Sequence, residues 1–302
     1  MRRTIVVAAL VMTGAVVFAA DPLAEQPKPQ PPKHVAPPPR SRAEVEAVIA
    51  KAPHGDRPLR HLNILLVAGP KDHGPGEHDY PRWQKEWAPL MSKADHVSIK
   101  TAFGWPKAQD WEGVNLAVFY LKTKWTASQL ADIKAIQDRG AGVVTIHWAI
   151  GCDQEWDNHA NRFGMSYRAA SFRHGNVNLK LAEKEHPILL GLPKEMQFVD
   201  EPYWPFIGDK SKVDVLASSD EMIHRGDDAK VPGDDEVKTI PVFWAYEAPD
   251  TNGRVFVSIF GHYMWTFDDP YFRLMLLRGM AWAAKDDVYR FDRLAVEGVE
   301  MK

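Results

Sequence analysis

The sequence predicts an α/β fold in which a mostly parallel central sheet has helices on both faces. Four apolar or β-branched residues at 143–146 precede His147, and such a run is typical of a strand buried on both faces. Strand-like and helix-like segments alternate before this run, as they do in parallel sheets. Open α/β sheets bind ligands beyond the carboxyl ends of their strands, so His147 is the first candidate functional residue. The alternative is a core histidine that is hydrogen-bonded to a neighbour.

The first half of the chain has the more regular pattern. We expect strands at 62–69, 96–103, 114–121 and 142–147, and helices at 80–94 and 126–139. Thr126 and Gln129 have the spacing of a helix capping box, and Gly140 would end that helix. In the second half we expect helices at 153–163 and 271–285, and strands at 176–181, 213–217, 240–246 and 254–260.

Composition divides the chain into four segments. Residues 1–20 have a basic start, a short apolar centre and small residues at the end, which predicts a secretory signal peptide and an exported, periplasmic or extracellular protein. An uncleaved membrane anchor is the alternative, although the apolar run is short for a bilayer. We expect a Pro-rich linker at 21–60 with a short helix from Ser41, a folded domain at 61–288 and a tail at 289–302.

The overall composition excludes several classes of function. The chain has 302 residues and a formal net charge of −3, with no basic block that could follow a phosphate backbone, so nucleic acid is not an expected partner. We expect no membrane span in the mature chain. A single cysteine, Cys152, excludes a disulfide within the chain. The tryptophans, 11 in number, would suit either a sugar-binding cleft or an aromatic core, and a homo-oligomer stays open.

Several stretches carry a resemblance to a known family. The longest is GHYMWTFDDPYFRLMLLRGMAWAAK at 261–285; the others are the opening strand with its histidine-containing loop, VTIH at 144–147, and DEPY at 200–203. Together they resemble the ThuA-like family, named for trehalose utilisation, over residues 61–285. The resemblance implies a class I glutamine-amidotransferase-like (flavodoxin-like) fold and a small-molecule carbohydrate as substrate.

One departure from the amidotransferase pattern matters for the chemistry. Glutamine amidotransferases place a cysteine nucleophile in the strained turn after the central strand. Here His147 lies in that region, and Cys152 comes several residues later. We therefore expect that the protein is not a glutamine amidotransferase and that Cys152 is a small buried thiol.

The resemblance also implies a cluster of polar residues at the carboxyl edge of the sheet. His147 ends the central strand, His262 ends the last one, and Glu201 reaches the same cleft from the second half. Two imidazoles and a carboxylate suit a zinc-like divalent metal ion with an open position. A metal-free, hydrogen-bonded cluster of the same residues is the alternative. Two other histidines, His159 and His224, lie in polar stretches and are expected to be solvated.

Further polar residues near these strand ends are candidates for acid–base chemistry or substrate binding. The loop after the first strand contains Asp72, His73 and His78, and Arg173 and His174 precede a later strand. The expected catalytic residues are His73, His174 and Glu201. The expected substrate-binding residues are Asp72, Trp148, Arg173, Tyr203 and Trp265.

The function that the resemblance implies is cleavage of glycosides whose sugar is oxidised at carbon 3. A 3-keto group acidifies the proton on C2, so a base removes it, the C1–O bond breaks by elimination, and added water makes the net reaction hydrolysis. We therefore expect a hydrolase or lyase. One alternative is a non-catalytic carbohydrate-binding or cell-surface scaffold protein. Another is glycoside hydrolysis by two carboxylates, for which the sequence places no second carboxylate opposite Glu201.

Overall fold

The computed structural model describes residues 34–53, 58–223 and 236–302. The predicted signal peptide at 1–20, the part of the Pro-rich stretch before residue 34, and His224 lie outside these residues, so export of the protein stays a prediction. Each described helix is too short or too polar to cross a membrane.

Within the described residues, nine strands form a central sheet and two more pair beside it. In chain order the strands are β1 (Leu62–Ala68), β2 (Val97–Phe103), β3 (Leu116–Tyr120), β4 (Gly142–Ile146), β5 (Ser166–Phe172), β6 (Gly175–Leu181), β7 (Glu195–Asp200), β8 (Tyr203–Ile207), β9 (Asp214–Ile223), β10 (Glu236–Glu247) and β11 (Arg254–Ser258). The order across the large sheet is β2-β1-β3-β4-β11-β10-β9-β6-β7, and β5 pairs with β8. The first five strands of this order are parallel, and the other pairings are antiparallel.

The helices cover both faces of the parallel half of the sheet, which confirms the predicted α/β class. In the part of the chain that the structure describes, the α-helices are α1 (Arg42–Ile49), α2 (Tyr80–Met91), α3 (Ala127–Asp138), α4 (Trp156–Phe163) and α5 (Pro270–Ala283). Every residue of β3 and β4 is buried, because helices pack on the sheet from both sides. The predicted capping box at the start of α3 is present, since Thr126 and Gln129 exchange side-chain-to-backbone hydrogen bonds.

The strand directions bring four loops to one edge of the sheet. β1, β4 and β11 are parallel, so their carboxyl ends lie at the same edge. Alternating antiparallel pairings from β11 to β7 give β7 the same direction, and its carboxyl end therefore also lies at this edge. The candidate functional residues follow these four strand ends.

The carboxyl-terminal part of the predicted linker, residues 21–60, packs on the folded body. The expected helix is present as α1, and Ser41 is its N-cap, accepting a hydrogen bond from the Glu44 backbone. Val45 and Val48 on this helix are buried in the main hydrophobic core. The proline content of 21–60 predicts a spacer, but this short helix belongs to the folded body because two apolar side chains on one face are enough to anchor it.

The predicted tail at 289–302 is also part of the folded body. Phe291, Leu294 and Ala295 are buried in the main core. The carboxyl-terminal residue pairs with the start of α1, since the Arg42 N–H donates to the Lys302 carbonyl at 2.9 Å. A short segment of irregular structure gives no periodic signal in the sequence, although its apolar side chains close the core.

Candidate functional site

His147 is the first residue after β4 and lies in a strained turn. Its φ is 56°, in the left-handed region that non-glycine residues rarely adopt and that recurs at functional sites. The ring Nδ1 is 2.7 Å from the carbonyl oxygen of Ile259, which can only accept, so Nδ1 carries the proton and donates it. Nε2 of the neutral ring is therefore unprotonated.

Three other side chains bring a donor atom close to His147 Nε2. His78 Nε2 lies 2.8 Å away, Glu201 Oε2 3.1 Å and His262 Nδ1 3.3 Å. Glu201 Oε2 is also 2.7 Å from His262 Nδ1. The four side chains are buried, and one possible ligand atom from each lies within 4.8 Å of the others. We call these four residues the His/Glu site.

The hydrogen bonds around His78 and His147 leave two lone pairs facing each other. Asp72 Oδ1 is 2.9 Å from His78 Nδ1, so that nitrogen is protonated, as His147 Nδ1 is. The two Nε2 atoms, 2.8 Å apart, then repel unless a proton or a cation lies between them. Tetrahedral bonds of about 2.0 Å would separate neighbouring ligand atoms by about 3.3 Å, so these donors could hold a divalent ion.

Asp200, at the end of β7, fixes the backbone around Glu201 and His262. Its carboxylate accepts hydrogen bonds from the backbone N–H groups of Glu201 at 2.8 Å and of Gly261 and His262, each at 3.1 Å. The Thr266 hydroxyl donates to the same carboxylate at 2.5 Å. These bonds join the end of β7 to the loop after β11. They therefore fix the Glu201 carboxylate and the His262 imidazole relative to each other.

The electrostatics of the site favour a cation. Burial raises the pKa of Glu201, but the contacts with the His147 and His262 imidazoles outweigh burial and hold the pKa below its usual range. Burial lowers the pKa of His78 to about 3, against the opposing hydrogen bond to Asp72. At neutral pH the site therefore contains an ionised carboxylate and a neutral His78, and metals require such deprotonated ligands.

Tyr203, a predicted substrate-binding residue, is buried beside the His/Glu site. Its hydroxyl is 2.7 Å from His147 Nε2 and 3.1 Å from Glu201 Oε2. Burial raises the pKa of Tyr203 well above its usual value, and the charge of Glu201 adds to the shift, so the phenol keeps its proton. The ring of Trp148, which was also predicted, stands edge-on to the Tyr203 ring with centroids 5.9 Å apart and borders the site.

The loop after β1 adds an exposed imidazole beside the buried ones. Asp72 Oδ1 accepts from His73 Nδ1 at 3.0 Å and from His78 Nδ1 at 2.9 Å. The His73 side chain is 41% exposed, whereas that of His78 is buried. Asp72 therefore orients both rings, and it holds a ligand-type histidine through the nitrogen that faces away from the site.

His174, between β5 and β6, approaches the site from the other side. Its Nε2 is 3.5 Å from Glu201 Oε1, and its Nδ1 is 3.2 Å from the Tyr263 hydroxyl. The side chain is 29% exposed. Burial lowers the pKa of His174, and the nearby charge of Glu201 opposes this shift. A partly exposed imidazole that contacts the buried carboxylate is well placed for proton transfer.

Two predicted substrate-binding residues have other partners in the structure. Trp265 stacks on Tyr263 with ring centroids 4.1 Å apart, and its indole N–H donates to the Val199 carbonyl at 3.0 Å. Arg173 forms a salt bridge with the buried Glu221. Both side chains are thus held by partners outside the His/Glu site.

His78 is the member of the His/Glu site that the sequence did not assign as a ligand. It lies in a loop with two other candidates, and nothing in the sequence distinguishes which side chain of that loop faces inward. The inward position of His78 is set by a backbone hydrogen bond. Its N–H donates to the His262 carbonyl at 2.9 Å and fixes the loop after β1 against the loop after β11. The His78 φ of 41° is a second strained backbone at the site.

Cys152 is a buried thiol, as expected. Its side chain is 1% exposed, and burial raises its pKa. The thiolate is the nucleophilic form of cysteine, so this environment disfavours nucleophilic attack.

The prediction that His159 is solvated is wrong. His159 on α4 is fully buried, and its ring lies 4.4 Å from the ring of Phe163 and 5.3 Å from that of Trp125. Neither ring nitrogen has a hydrogen-bond partner among the described residues. The sequence around it is polar because the opposite face of α4 is exposed.

His159 is expected to weaken the fold in acid. Burial lowers its pKa to about 3, so in the folded state it stays neutral while the unfolded chain protonates near pH 6.5. Its contribution to stability is complete above pH 6.5 and is lost as the pH falls from 6.5 towards 3. His159→Phe should therefore gain about 2 kcal/mol in unfolding free energy relative to the native chain between pH 7.5 and pH 5. Urea unfolding at both values measures this; an unchanged difference between the two proteins would contradict it.

The fold and the site define an α/β protein with a histidine and carboxylate cluster at the carboxyl ends of its strands. The family model for ThuA, described as trehalose utilisation, matches residues 91–283. This is more than half of the chain, and the protein belongs to the ThuA family. The family resemblance noted in the sequence is confirmed, and so is the predicted α/β class.

Solved structures agree with this fold. A ThuA-like protein from Bacteroides uniformis is 17% identical with a TM-score of 0.56, and the match covers 78% of this chain and 98% of that one. A ThuA-like protein from Parabacteroides merdae is also 17% identical, with a TM-score of 0.53 and coverage of 76% and 90%. No curated protein matches the sequence. At this identity the likeness shows the fold, and the family description connects the protein with carbohydrate.

Proposed function

We propose that the protein binds a divalent metal ion at the His/Glu site and cleaves 3-keto glycosides there by elimination and hydration, a net hydrolysis. The observation that supports the proposal is that three imidazole nitrogens and one carboxylate oxygen lie within 4.8 Å of one another. The Nε2 atoms of His78 and His147, both unprotonated, are 2.8 Å apart. His78, His147, Glu201 and His262 would hold the ion. When bound, it would polarise a carbonyl oxygen or activate water. Membership of the trehalose-utilisation family supports a carbohydrate substrate.

His73 is the proposed base that removes the proton from C2 of the sugar. Asp72 Oδ1 accepts a hydrogen bond from His73 Nδ1 at 3.0 Å, which leaves His73 Nε2 free to accept a proton. The ring is partly exposed and lies 3.8 Å from the ring of His78, measured between centroids. A sugar whose C3 carbonyl oxygen lies at the His/Glu site would bring its C2 proton near His73, and the paired carboxylate would stabilise the imidazolium that forms.

His174 is the proposed acid for the leaving group. As the C1–O bond breaks, protonated His174 would give its proton to the departing oxygen. The neutral ring would then take a proton from the water that adds to C1, while His73 returns its proton to C2. The two imidazoles are thus restored after one turnover. The contact between His174 and Glu201 supports this role, because the nearby carboxylate opposes the lowering of the His174 pKa by burial.

Metal content and turnover measured on the same preparation test this proposal. Elemental analysis after dialysis should find bound divalent metal. The loaded protein should release 4-nitrophenol from 4-nitrophenyl 3-keto-glucoside, and a chelator should stop the release. The matched control is 4-nitrophenyl glucoside, which has no carbonyl at C3 and should not be cleaved, because its C2 proton is not acidic.

Other outcomes would overturn the proposal in distinguishable ways. Equal cleavage of the two glucosides would indicate hydrolysis by another mechanism. Full turnover by metal-free protein would remove the ion from the reaction. Binding of the keto-glucoside without turnover would favour a non-catalytic carbohydrate-binding protein.

A further inference from the structure

The stretch before α1 is anchored to the folded body by Arg40. Its guanidinium donates to Asp269 at 2.8 Å and to the Gln197 carbonyl at 2.6 Å. It also lies 5.0 Å from the ring centroids of Phe198 and Tyr271. Three consecutive prolines at 37–39 precede it, and their fixed φ angles make this stretch stiff. A stiff segment that is held at one end has a defined direction.

The other end of this segment reaches the candidate site. The His34 ring stacks on the His174 ring with centroids 5.9 Å apart and planes 20° from parallel. It stands edge-on to the Tyr263 ring at 6.2 Å. Gly175, the next residue after His174, has a φ of 119°, which disfavours any other residue, and a Cβ there would only touch His34 Cε1 at 3.5 Å. His34, the first residue of this segment, therefore lies against one side of His174.

The His174 ring, on which His34 packs, is held on several sides. One of its edges contacts Glu201 and the other contacts the Tyr263 hydroxyl. Its centroid is 4.7 Å from that of His262. The His34 ring is stacked beside this ring with an offset, so it limits rotation of the side chain away from Glu201. The side chain of His34 makes a packing contact here, and its buried Nε2 has no hydrogen-bond partner among the described residues.

We propose that residues 34–40 form a wall of the site and that His34 is a positioning residue, which holds His174 against Glu201. The stretch that the sequence predicts to be a spacer would thus complete the site. The kinetic consequence rests on the proposed function of His174 as an acid, whereas the packing of His34 on His174 does not. The inference can therefore be tested with a structural readout and with a kinetic one.

The structural test measures how fast diethyl pyrocarbonate modifies His174. Trypsin should release residues 34–40, 61–71 and 174–180 as separate peptides, and each contains a single histidine. His34→Ala should raise the modification rate of His174 several-fold, because it uncovers the ring face. His34→Phe should keep the rate low, since it preserves a stacked ring. His61, an exposed residue at the start of β1, provides the internal control and should react equally in all three proteins.

The kinetic test compares the same variants with 4-nitrophenyl 3-keto-glucoside. His34→Ala should lower kcat by about tenfold to a hundredfold with the metal content unchanged, as a displaced catalytic group does. His34→Phe should restore most of the loss, and His61→Ala should match the native chain. The expected change lies in kcat rather than KM, because a positioning residue acts on the reacting groups.

The two tests separate failure of the inference from failure of the proposed function. Equal modification rates for His174 in the native protein and His34→Ala would overturn the inference, whatever the activity. Faster modification combined with unchanged kcat would overturn the positioning role. If the native protein shows no turnover at all, the proposed function fails, and the modification rates still decide whether His34 covers His174.

Discussion

Glu201→Gln is expected to lower the affinity for divalent metal by at least about tenfold to a hundredfold, and turnover should fall with it. The substitution keeps the shape of the side chain and removes its negative charge. Glu201 Oε2 lies 3.1 Å from His147 Nε2 and 2.7 Å from His262 Nδ1, so it contacts two of the other three donor atoms. A chromophoric chelator that competes for the ion measures the affinity directly.

Tyr203→Phe is the matched control for this experiment. It removes a hydroxyl from the same buried wall, 3.1 Å from Glu201, and leaves all four donor atoms in place. It should therefore retain the metal. Near-native metal affinity in Glu201→Gln, with folding verified by circular dichroism, would show that the carboxylate is not a ligand. Equal loss of metal in both variants would indicate general damage to the site.

Asp292→Ala is expected to lower the unfolding free energy by about 3–5 kcal/mol. Asp292 accepts from Arg278 Nε at 3.0 Å and from Nη2 at 2.7 Å. Arg278 on α5 is fully buried, and it also donates to the Leu190 carbonyl at 2.6 Å. The substitution leaves a buried guanidinium without its counter-ion. For a body of this size the melting temperature should fall by roughly 10 °C.

The double variant Arg278→Met with Asp292→Leu separates charge from packing. It removes both ions and keeps apolar volume, so it should be more stable than Asp292→Ala, because replacing a whole buried pair costs less than breaking it. Urea unfolding gives the comparison. A near-native stability for Asp292→Ala would mean that residues 289–302 contribute little to the fold, as the predicted boundary at 288 implies. The structure leads us to expect the opposite result.

The parallel half of the fold could be predicted because its strands are buried on both faces. β1, β3 and β4 are apolar runs with clear ends, and the predicted strand at 62–69 is observed as Leu62–Ala68. The antiparallel half gave weaker signals. β9 and β10 extend well beyond the predicted strands, because backbone pairing lengthens this hairpin where its side chains are polar or exposed.

The candidate site could be predicted in part, for a topological reason. His147 and His262 follow parallel strands, so the fold class alone brings them to one edge, and the family resemblance added Glu201. The inward position of His78 could not be predicted, because it depends on one backbone hydrogen bond to the residue after β11. The contact of His34 with His174 depends on the anchoring of Arg40 to Asp269 and Gln197, which are far away in the chain, and no local pattern encodes it.

The donor residues of the His/Glu site come from four loops that are widely separated in the chain, after β1, β4, β7 and β11. Closing such long loops costs entropy that is recovered only when the sheet is complete, so no early folding intermediate can present the four donors together. If the proposed ion binds, the apoprotein would therefore fold first and metallation would follow. The size and ligand set of the folded His/Glu site would then select among the available ions.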